Sequence, residues 1–571
     1  MASTRQIDQQ RPAETTELSL ASGENKEGPA SLNQVPPLSG YNLFLSDTTL
    51  SQAIVREGAG WAREQISEFG RLLGTDEVQR WGFDANENKP VLHTHDRYGN
   101  RRDEVIFHPS WHSLMRMSVE NRLHNLPWEA NKSGAHVARA ALMMLAAQNE
   151  AGHTCPISMT FSAVAALRVD PALAHEWEPK IFSASYDPRF VPSQEKAGVL
   201  LGMGMTEKQG GSDVRANITR AERIGNSREY LITGHKWFCS APMCDAFLIL
   251  AQTGNGLSCF LLPRWTPAGN KNKFHLQRLK DKLGNRSNAS SEVEFAQAWA
   301  QLVGEEGRGI QTIIEMVNHT RLDCSIAAAG LMRQALVQAM HHASHRKAFG
   351  KLLMDQPLMR NVLADLALES EAATLLMVRV AKSFDVRNTN DQERAFCRIV
   401  TAIAKYWLCK RSPAAVGEAL ECLGGNGYVE ESMMPRLYRE APLYSIWEGS
   451  GNVICLDVLR ALAKEPATVD ALLNELKSVA GKGQRLDNYV LALQDRLASK
   501  SNGGVAEYSA RELTEKLALA LQASLMVRYS SSHAAEAFIG SRLAGQHGHA
   551  FGTLPAGVNV AGILETAGMA Q

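Results

Sequence analysis

The chain has 571 residues, 44% hydrophobic and 21% charged, with 60 basic side chains balanced by 60 acidic ones. Zero net charge excludes a whole-molecule field that would draw it onto nucleic acid or a membrane surface, so any such contact is local. No run of roughly 18 apolar residues occurs, which excludes a helical membrane span, and the length points to about three or four domains.

The first 40 residues are rich in Gln, Glu, Ser and Pro and read as a disordered tail. Asp8, Glu14, Glu17 and Glu24 interrupt the basic pattern that a transit peptide needs, and the terminal Gly-Met-Ala-Gln is no peroxisomal signal. Residues 41–200 carry helical periodicity, as in Ala135-His-Val-Ala-Arg-Ala-Ala-Leu-Met-Met-Leu, punctuated at Pro156, Asp170-Pro171 and Asp187-Pro188. From 201 to 303 the segments become short, β-branched and Gly-bounded, such as Tyr230-Leu-Ile-Thr-Gly, which marks a small barrel or sandwich. Helical periodicity returns over 304–462. A further helical unit follows at 463–571, with a break at 501–504 and a Gly-rich, loose end from Gly545. The fold class is thus mainly α with a central β domain and a helical C-terminal extension. Nine cysteines are scattered without a C-x-x-C pair, which fits core thiols in a reducing, cytoplasmic setting.

Four segments carry candidate chemistry. Met203-Gly204-Met205-Thr206 with the later Gly-Gly-Ser212-Asp offers hydroxyls and amides to a ligand rich in oxygens, although an ordinary turn has the same composition. It is neither a Walker loop nor a dinucleotide fingerprint. Lys236-Trp-Phe238-Cys239-Ser240 could cover a planar heterocycle with Phe238 and meet its edge with Ser240, or be a strand with core aromatics. Arg346-Lys-Ala-Phe349-Gly with Gln356, and the Gly424-Gly425-Asn-Gly427 turn, could hold a diphosphate, or be a helix end and a helix stop. Last comes Tyr444-Ser-Ile446-Trp447-Glu448-Gly449-Ser450-Gly451-Asn452. A carboxylate desolvated beside a large ring makes Glu448 a candidate general base, and the alternative is a solvated loop before a helix. His341, His342 and His345 lack a carboxylate at zincin spacing and read as solvated, so no metal is expected.

In this order, Met-x-Met-Thr-Glu with Gly-Ser-Asp, Lys-Trp-Phe-x-Ser, Arg-Lys-x-Phe-Gly, Gly-Gly-x-Gly-Tyr and aromatic-Glu-Gly resemble the acyl-CoA dehydrogenase family over roughly residues 41–460. Residues 200–213, 279–290 and 438–452, with the C-terminal extension, look most like the branch tied to the bacterial adaptive response to DNA alkylation. The resemblance implies a helical, β-barrel, helical order of domains, FAD, a homotetramer and α,β-desaturation of an acyl-CoA thioester, with an electron-transfer flavoprotein as a further partner. It places Met203, Gly204, Met205, Thr206, Ser212, Phe238, Cys239 and Ser240 around the flavin. Arg346, Phe349, Gln356, Gly424, Gly425 and Gly427 hold the diphosphate and adenine from a neighbouring subunit, and Ile446, Trp447, Gly449, Ser450, Gly451 and Asn452 line the flavin. Glu448 aligns with the catalytic base, while Ser212, Arg321 and Trp447 face the acyl-CoA. Some members carry the base on the helix just before the arginine; that position is Thr320 here, and Asp323 lies off register.

Three departures from the family pattern stand out: Trp447 for Tyr, Glu421 for Gln and Lys208 for Pro. The first adds bulk beside the acyl chain and the second puts a carboxylate near a diphosphate. The branch also implies duplex DNA binding through a basic C-terminal unit. From 461 onward, however, ten Lys and Arg meet ten Asp and Glu. A patch of Lys482, Arg485, Arg496 and Lys500 across a tetramer would be the route to phosphates, against a mixed-charge solvated surface.

Overall fold

A computed structural model of the chain describes residues 33–130, 132–498 and 507–568. Most of the expected N-terminal tail and the break at 501–504 lie outside the described residues. The expected tail runs to residue 40, yet from residue 33 the chain is tied down: the Asn33 side chain accepts from the Lys347 amide at 2.8 Å and donates to its carbonyl at 2.7 Å.

The N-terminal unit contains α1 (Thr48–Arg56), α2 (Arg63–Leu73), α3 (Asp76–Glu87), α4 (Pro109–Glu120), α5 (Ala135–Asn149), α6 (Thr154–Leu167) and α7 (Pro171–Ile181). Asp170 caps α7 by accepting from the Leu173 amide, and Pro171 takes the first helical position, so that boundary falls where the sequence puts it. Pro156 does not break a helix. It sits in the first turn of α6, where no amide is needed. The helical reading of 41–200 misses one hairpin, β1 (Val91–His95) and β2 (Arg101–Ile106), which packs against the barrel.

Strands β3 (Leu201–Gly204), β4 (Arg220–Arg223), β5 (Glu229–Ser240), β6 (Ala246–Thr253), β7 (Gly256–Pro263), β8 (Phe274–Leu279) and β9 (Ser290–Val303) form one sheet in the order β3-β5-β4-β6-β7-β9-β8. Additional β3–β6 and β5–β9 pairings close it into a small barrel.

The chain then enters α8 (Gly309–His345), a two-residue hairpin β10 (Lys347–Ala348) and β11 (Lys351–Leu352), α9 (Pro357–Val386) and α10 (Asp391–Cys422). Every residue of α8 from Thr320 to Val337 is buried. A helix apolar enough to be covered on all sides is a central core helix, and α5, α6, α9 and α10 pack around it. Helices α11 (Met434–Glu440) and α12 (Gly451–Lys464) complete the bundle, with the Glu448 loop between them.

Helices α13 (Pro466–Lys477), α14 (Gln484–Ala498), α15 (Ala510–Tyr529) and α16 (Ser532–Phe538) follow. As far as Gly568, the end of the chain is not loose. Residues 545–559 lead into α17 (Val560–Ala567), which docks on α9, and Arg333 of α8 donates to the carbonyls of Ala567 (2.7 Å) and Ser46 (2.6 Å). Counting glycines misses Leu554 and Ile563, which anchor this segment in the core.

Candidate active site

Glu448 sits in the loop between α11 and α12 with φ +58°, a left-handed conformation that costs a non-glycine residue about 1–3 kcal/mol. Two buried cations impose the reversal. Lys405 of α10 donates to the carbonyls of Ser445 and Gly449, and Arg321 of α8 donates from Nε to the Glu448 carbonyl at 3.1 Å. The other edge of the Arg321 guanidinium is fixed by Asp457 of α12 at 2.8 Å. Gly449 follows with φ +105°, a second turn residue that only glycine adopts freely. Beside them Tyr444 is buried and meets the half-buried Trp447 edge to face, with centroids 6.1 Å apart. Ile446 and Ser450 are exposed, Gly451 begins α12 and is buried, and Asn452 in its first turn is exposed.

Burial raises the Glu448 carboxyl above the usual carboxylate range. The Thr320 hydroxyl, Arg321 and Lys405 pull it back, and Asp323 adds to the rise. The Glu448 amide makes no hydrogen bond among the described residues. Behind the loop, Asp323 forms a buried bidentate pair with Arg139 of α5 (2.6 and 2.8 Å), whose guanidinium lies 3.4 Å over the Phe161 ring.

The rim of the barrel faces the same region. Gly204 of β3 pairs with Cys239 of β5, and the Trp237 amide donates to the Thr206 carbonyl at 2.8 Å, so Thr206, Phe238 and Ser240 share one edge. The Phe238 ring is half exposed and the Ser240 hydroxyl meets that of Ser290 at 3.2 Å. Met203 and Met205 are half-buried, while Gly204 and Cys239 are covered. Two buried residues missed in the sequence staple this edge together: Glu207 and Lys236 pair at 2.7 Å, and Glu207 also accepts from the Ile218 amide. Gly211 is dictated by Thr206, since a Cβ there would lie 2.4 Å from the Thr206 hydroxyl. Ser212 is exposed on this loop. Cys155 of α6 lies between the rim and Glu448. Its thiol is hydrogen-bonded by Asn288 and Ser240, feels the charge of Glu448, and is pushed by burial up to about 12, which keeps it protonated.

Arg346, Phe349, Gln356 and the 424–427 turn lie elsewhere. Arg321 and Arg346 are 25 residues apart on or just past α8, roughly 37 Å at helical rise. Phe349 is 98% exposed, Gln356 donates to the Ala348 carbonyl at 3.0 Å, and Arg346 donates to the Asn33 carbonyl. Gly424, with φ +61° and ψ −141°, opens a short turn in which Gly425 is exposed and Gly427 buried. Of the three histidines at the end of α8, His342 is buried rather than solvated. Among the described residues no group of three His, Cys, Asp or Glu is placed to hold a metal.

A cavity of about 610 Å³ opens between the barrel and the bundle, lined by Arg215, Asn318, Arg321, Arg398 and Arg460 among others. Its wall has four arginines against two carboxylates, Glu315 and Asp457. Arg321 is common to this cavity and to the Glu448 loop.

Three family models match in succession: the adaptive response protein AidB N-terminal domain over residues 33–188, the acyl-CoA dehydrogenase middle domain over 202–298 and its C-terminal domain over 307–463. The AidB protein of Escherichia coli (strain K12) is 48% identical over 508 residues, 89% of this chain and 93% of that one. The chain belongs to the acyl-CoA dehydrogenase family, in its AidB branch. Acyl-CoA dehydrogenase family member 11 of Caenorhabditis elegans is 30% identical, over 77% of this chain and 73% of that protein. The solved structure of Caenorhabditis elegans ACDH-11 with C11-CoA superposes with a TM-score of 0.82 at 27% identity, covering 90% of this chain and 92% of that one.

FAD is the cofactor of this family. The rim fits a flat cofactor: an open aromatic face, two hydroxyls on one edge, and a loop whose glycine leaves Thr206 room. The DNA-contact patch suggested by the AidB branch is less well supplied. Arg496 is paired with Glu512 at 2.8 Å, Arg485 is tied to Gln546 at 3.2 Å, and Lys500 lies outside the described residues. No helix among the described residues is long and apolar enough to cross a membrane.

Beneath the AidB-type 279–290 loop lies a buried pair of acids, Glu440 and Glu150. Glu440 accepts from the amide and side chain of Asn285, and burial, with Glu150 nearby, pushes it up to about 7. Burial also acts on Glu150, but the His153 ring and amide and the Ser287 hydroxyl outweigh it and hold that acid down at about 2. A raised folded pKa means that the Glu440 contribution is complete below the unfolded glutamate range and is lost as pH rises through 7. Glu440→Gln is therefore expected to flatten the decline in stability between pH 5 and 8, by up to roughly 3 kcal/mol. Urea denaturation at both pH values checks this, and parallel profiles for the two proteins would refute it.

Proposed function

We propose that the chain is an FAD-dependent acyl-CoA dehydrogenase in which Glu448 takes the α proton of an acyl thioester. The observation that carries this reading is Glu448 itself: a half-buried carboxylate above its usual range, locked in a left-handed turn by Arg321 and Lys405 at the meeting of barrel and bundle. A carboxylate lifted above its usual range holds a proton better once it has taken it. The unpartnered Glu448 amide can donate to the thioester oxygen, where negative charge grows as the proton leaves. Arg321 shapes the substrate wall and holds the loop, its donors being committed to Glu448 and Asp457. The arginine-rich cavity suits the phosphates of coenzyme A, and its size lies within the range of about 300–1,000 Å³ common for ligand sites. Trp447 narrows the acyl side.

Thr206, Phe238 and Ser240 would hold the flavin ring, which supplies the two-electron acceptor for the β hydrogen. Arg346, Phe349, Gln356 and the 424–427 turn would hold its diphosphate and adenine. Because one chain sets Arg321, beside the Glu448 loop, and Arg346 roughly 37 Å apart along α8, a second copy would complete each site, which calls for at least a dimer, and the family resemblance extends this to a homotetramer. An electron-transfer flavoprotein would reoxidise it. The test is anaerobic addition of saturated acyl-CoA thioesters of graded length to the yellow protein. Loss of flavin absorbance with at least one length is expected, and oxidised flavin persisting with all of them overturns the proposal.

A further inference from the structure

A second cavity, of about 200 Å³, shares no lining residue with the first. It forms where the β1–β2 hairpin closes over the barrel at β8, so two units of the chain contribute to its wall. Asp103, held at φ +50°, is the hinge of the arrangement. Its carboxylate accepts from Arg101 in a bidentate pair (3.0 Å each) and from the Leu276 amide of β8 at 3.0 Å, while Arg101 donates to the Leu276 carbonyl. Arg102 is paired with Glu104 at 2.6 Å. Those two arginines are neutralised.

Three other wall cations are not. Arg264, Lys271 and Lys273 have no carboxylate within 4.0 Å among the described residues. Arg264 is 3% exposed, donates only to the backbone carbonyls of Asp103 (2.8 Å) and Pro242, and is stacked between Phe190 and Phe274 at 4.7 and 4.6 Å. A buried guanidinium with no carboxylate in contact is costly; burial pushes it down to about 10, outweighing Asp103 and Asp245, which act on it only from a distance. Asn272 cannot compensate, because its amide is used by Pro263, Trp299 and its own neighbour Lys273. Lys271 also lies over the rings of Phe190 (5.4 Å) and Trp265 (5.9 Å), so an aromatic surface borders the cationic one.

We propose that this cavity binds a terminal phosphate group, either as free phosphate or as the phosphomonoester of a mononucleotide. Three unneutralised positive charges match a dianion. A guanidinium fixed by stacking presents its edge without reorganisation, and two flexible lysines close over the remaining oxygens. A cavity of about 200 Å³ has room for an end group rather than for the continuous backbone of a duplex. The Phe190 and Trp265 faces would receive a sugar or base.

Calorimetric titration and thermal unfolding of the full-length protein test this, using inorganic phosphate and adenosine monophosphate against chloride at constant ionic strength. Phosphate is expected to raise the melting temperature where chloride does not. Lys271→Ala/Lys273→Ala, both exposed and remote from Glu448, is expected to weaken phosphate at least tenfold with circular dichroism and flavin content unchanged. Tighter binding of the nucleotide, lost in Trp265→Ala, whose ring is not the one stacked on Arg264, while phosphate binding persists, identifies a mononucleotide; equal binding identifies free phosphate. Equal stabilisation by chloride, undiminished phosphate affinity in the double variant, or an effect of that variant on duplex DNA alone would overturn the proposal.

Discussion

Glu448→Gln is expected to slow reduction of the flavin by acyl-CoA about 10²–10⁴-fold while acyl-CoA still binds, because the amide keeps the shape of the side chain and loses only the proton-accepting oxygen. Stopped-flow bleaching read beside equilibrium titration separates the two effects. In the wild-type protein the rate should rise with pH through the Glu448 ionisation, above the ordinary carboxylate range. The groups facing that carboxyl are Thr320, Arg321 and Asp323 on α8 and Lys405 on α10. Since the Thr320 hydroxyl favours the ionised form, Thr320→Val should move the midpoint of the profile upward. Reduction at wild-type rate in Glu448→Gln would remove this residue from the chemistry.

The Glu448 loop is legible in the sequence because its determinants are local. A carboxylate flanked by Trp447 and Gly449 advertises a turn, and family spacing gives the turn its role. What imposes the turn is not legible. Lys405 and Arg321 reach it from 40 and 127 residues away, and each looks like any charged residue on a helix. The same holds for Glu207 and Lys236. They read as spacers within two separate motifs, and only the barrel reveals that they pin those motifs to each other.

Two misreadings have a common cause. The hairpin at 91–106 carries a turn signal in Asp96-Arg-Tyr-Gly-Asn100, but helical stretches on either side absorb it into one block. The glycine-rich end of the chain reads as loose because composition ignores where its few apolar residues go. In both places tertiary burial decides against the local average. The separation of the two proposed halves of the cofactor site is equally invisible, since motif order says nothing of distance along a 37-residue helix.

The largest effect on stability is expected from Asp323→Asn. Arg139 is 1% exposed, and beyond Asp323 its hydrogen bonds reach only the Leu123 carbonyl, at 2.7 Å. Removing the counter-charge strands the guanidinium against Phe161, a loss of about 3–5 kcal/mol, seen as a fall in the urea midpoint with unchanged slope. Most of that figure is the penalty for an unpaired buried charge, not the net worth of the pair. The double change Arg139→Met/Asp323→Leu, which removes both charges and keeps the volume, should therefore recover most of the loss. If the double variant were as unstable as Asp323→Asn alone, packing rather than charge would govern stability at this position. The pair also bears on catalysis, because Asp323 helps to raise the Glu448 carboxyl. In the repacked double variant, the pH at which flavin reduction sets in should move downward, a displacement that altered packing by itself would not produce.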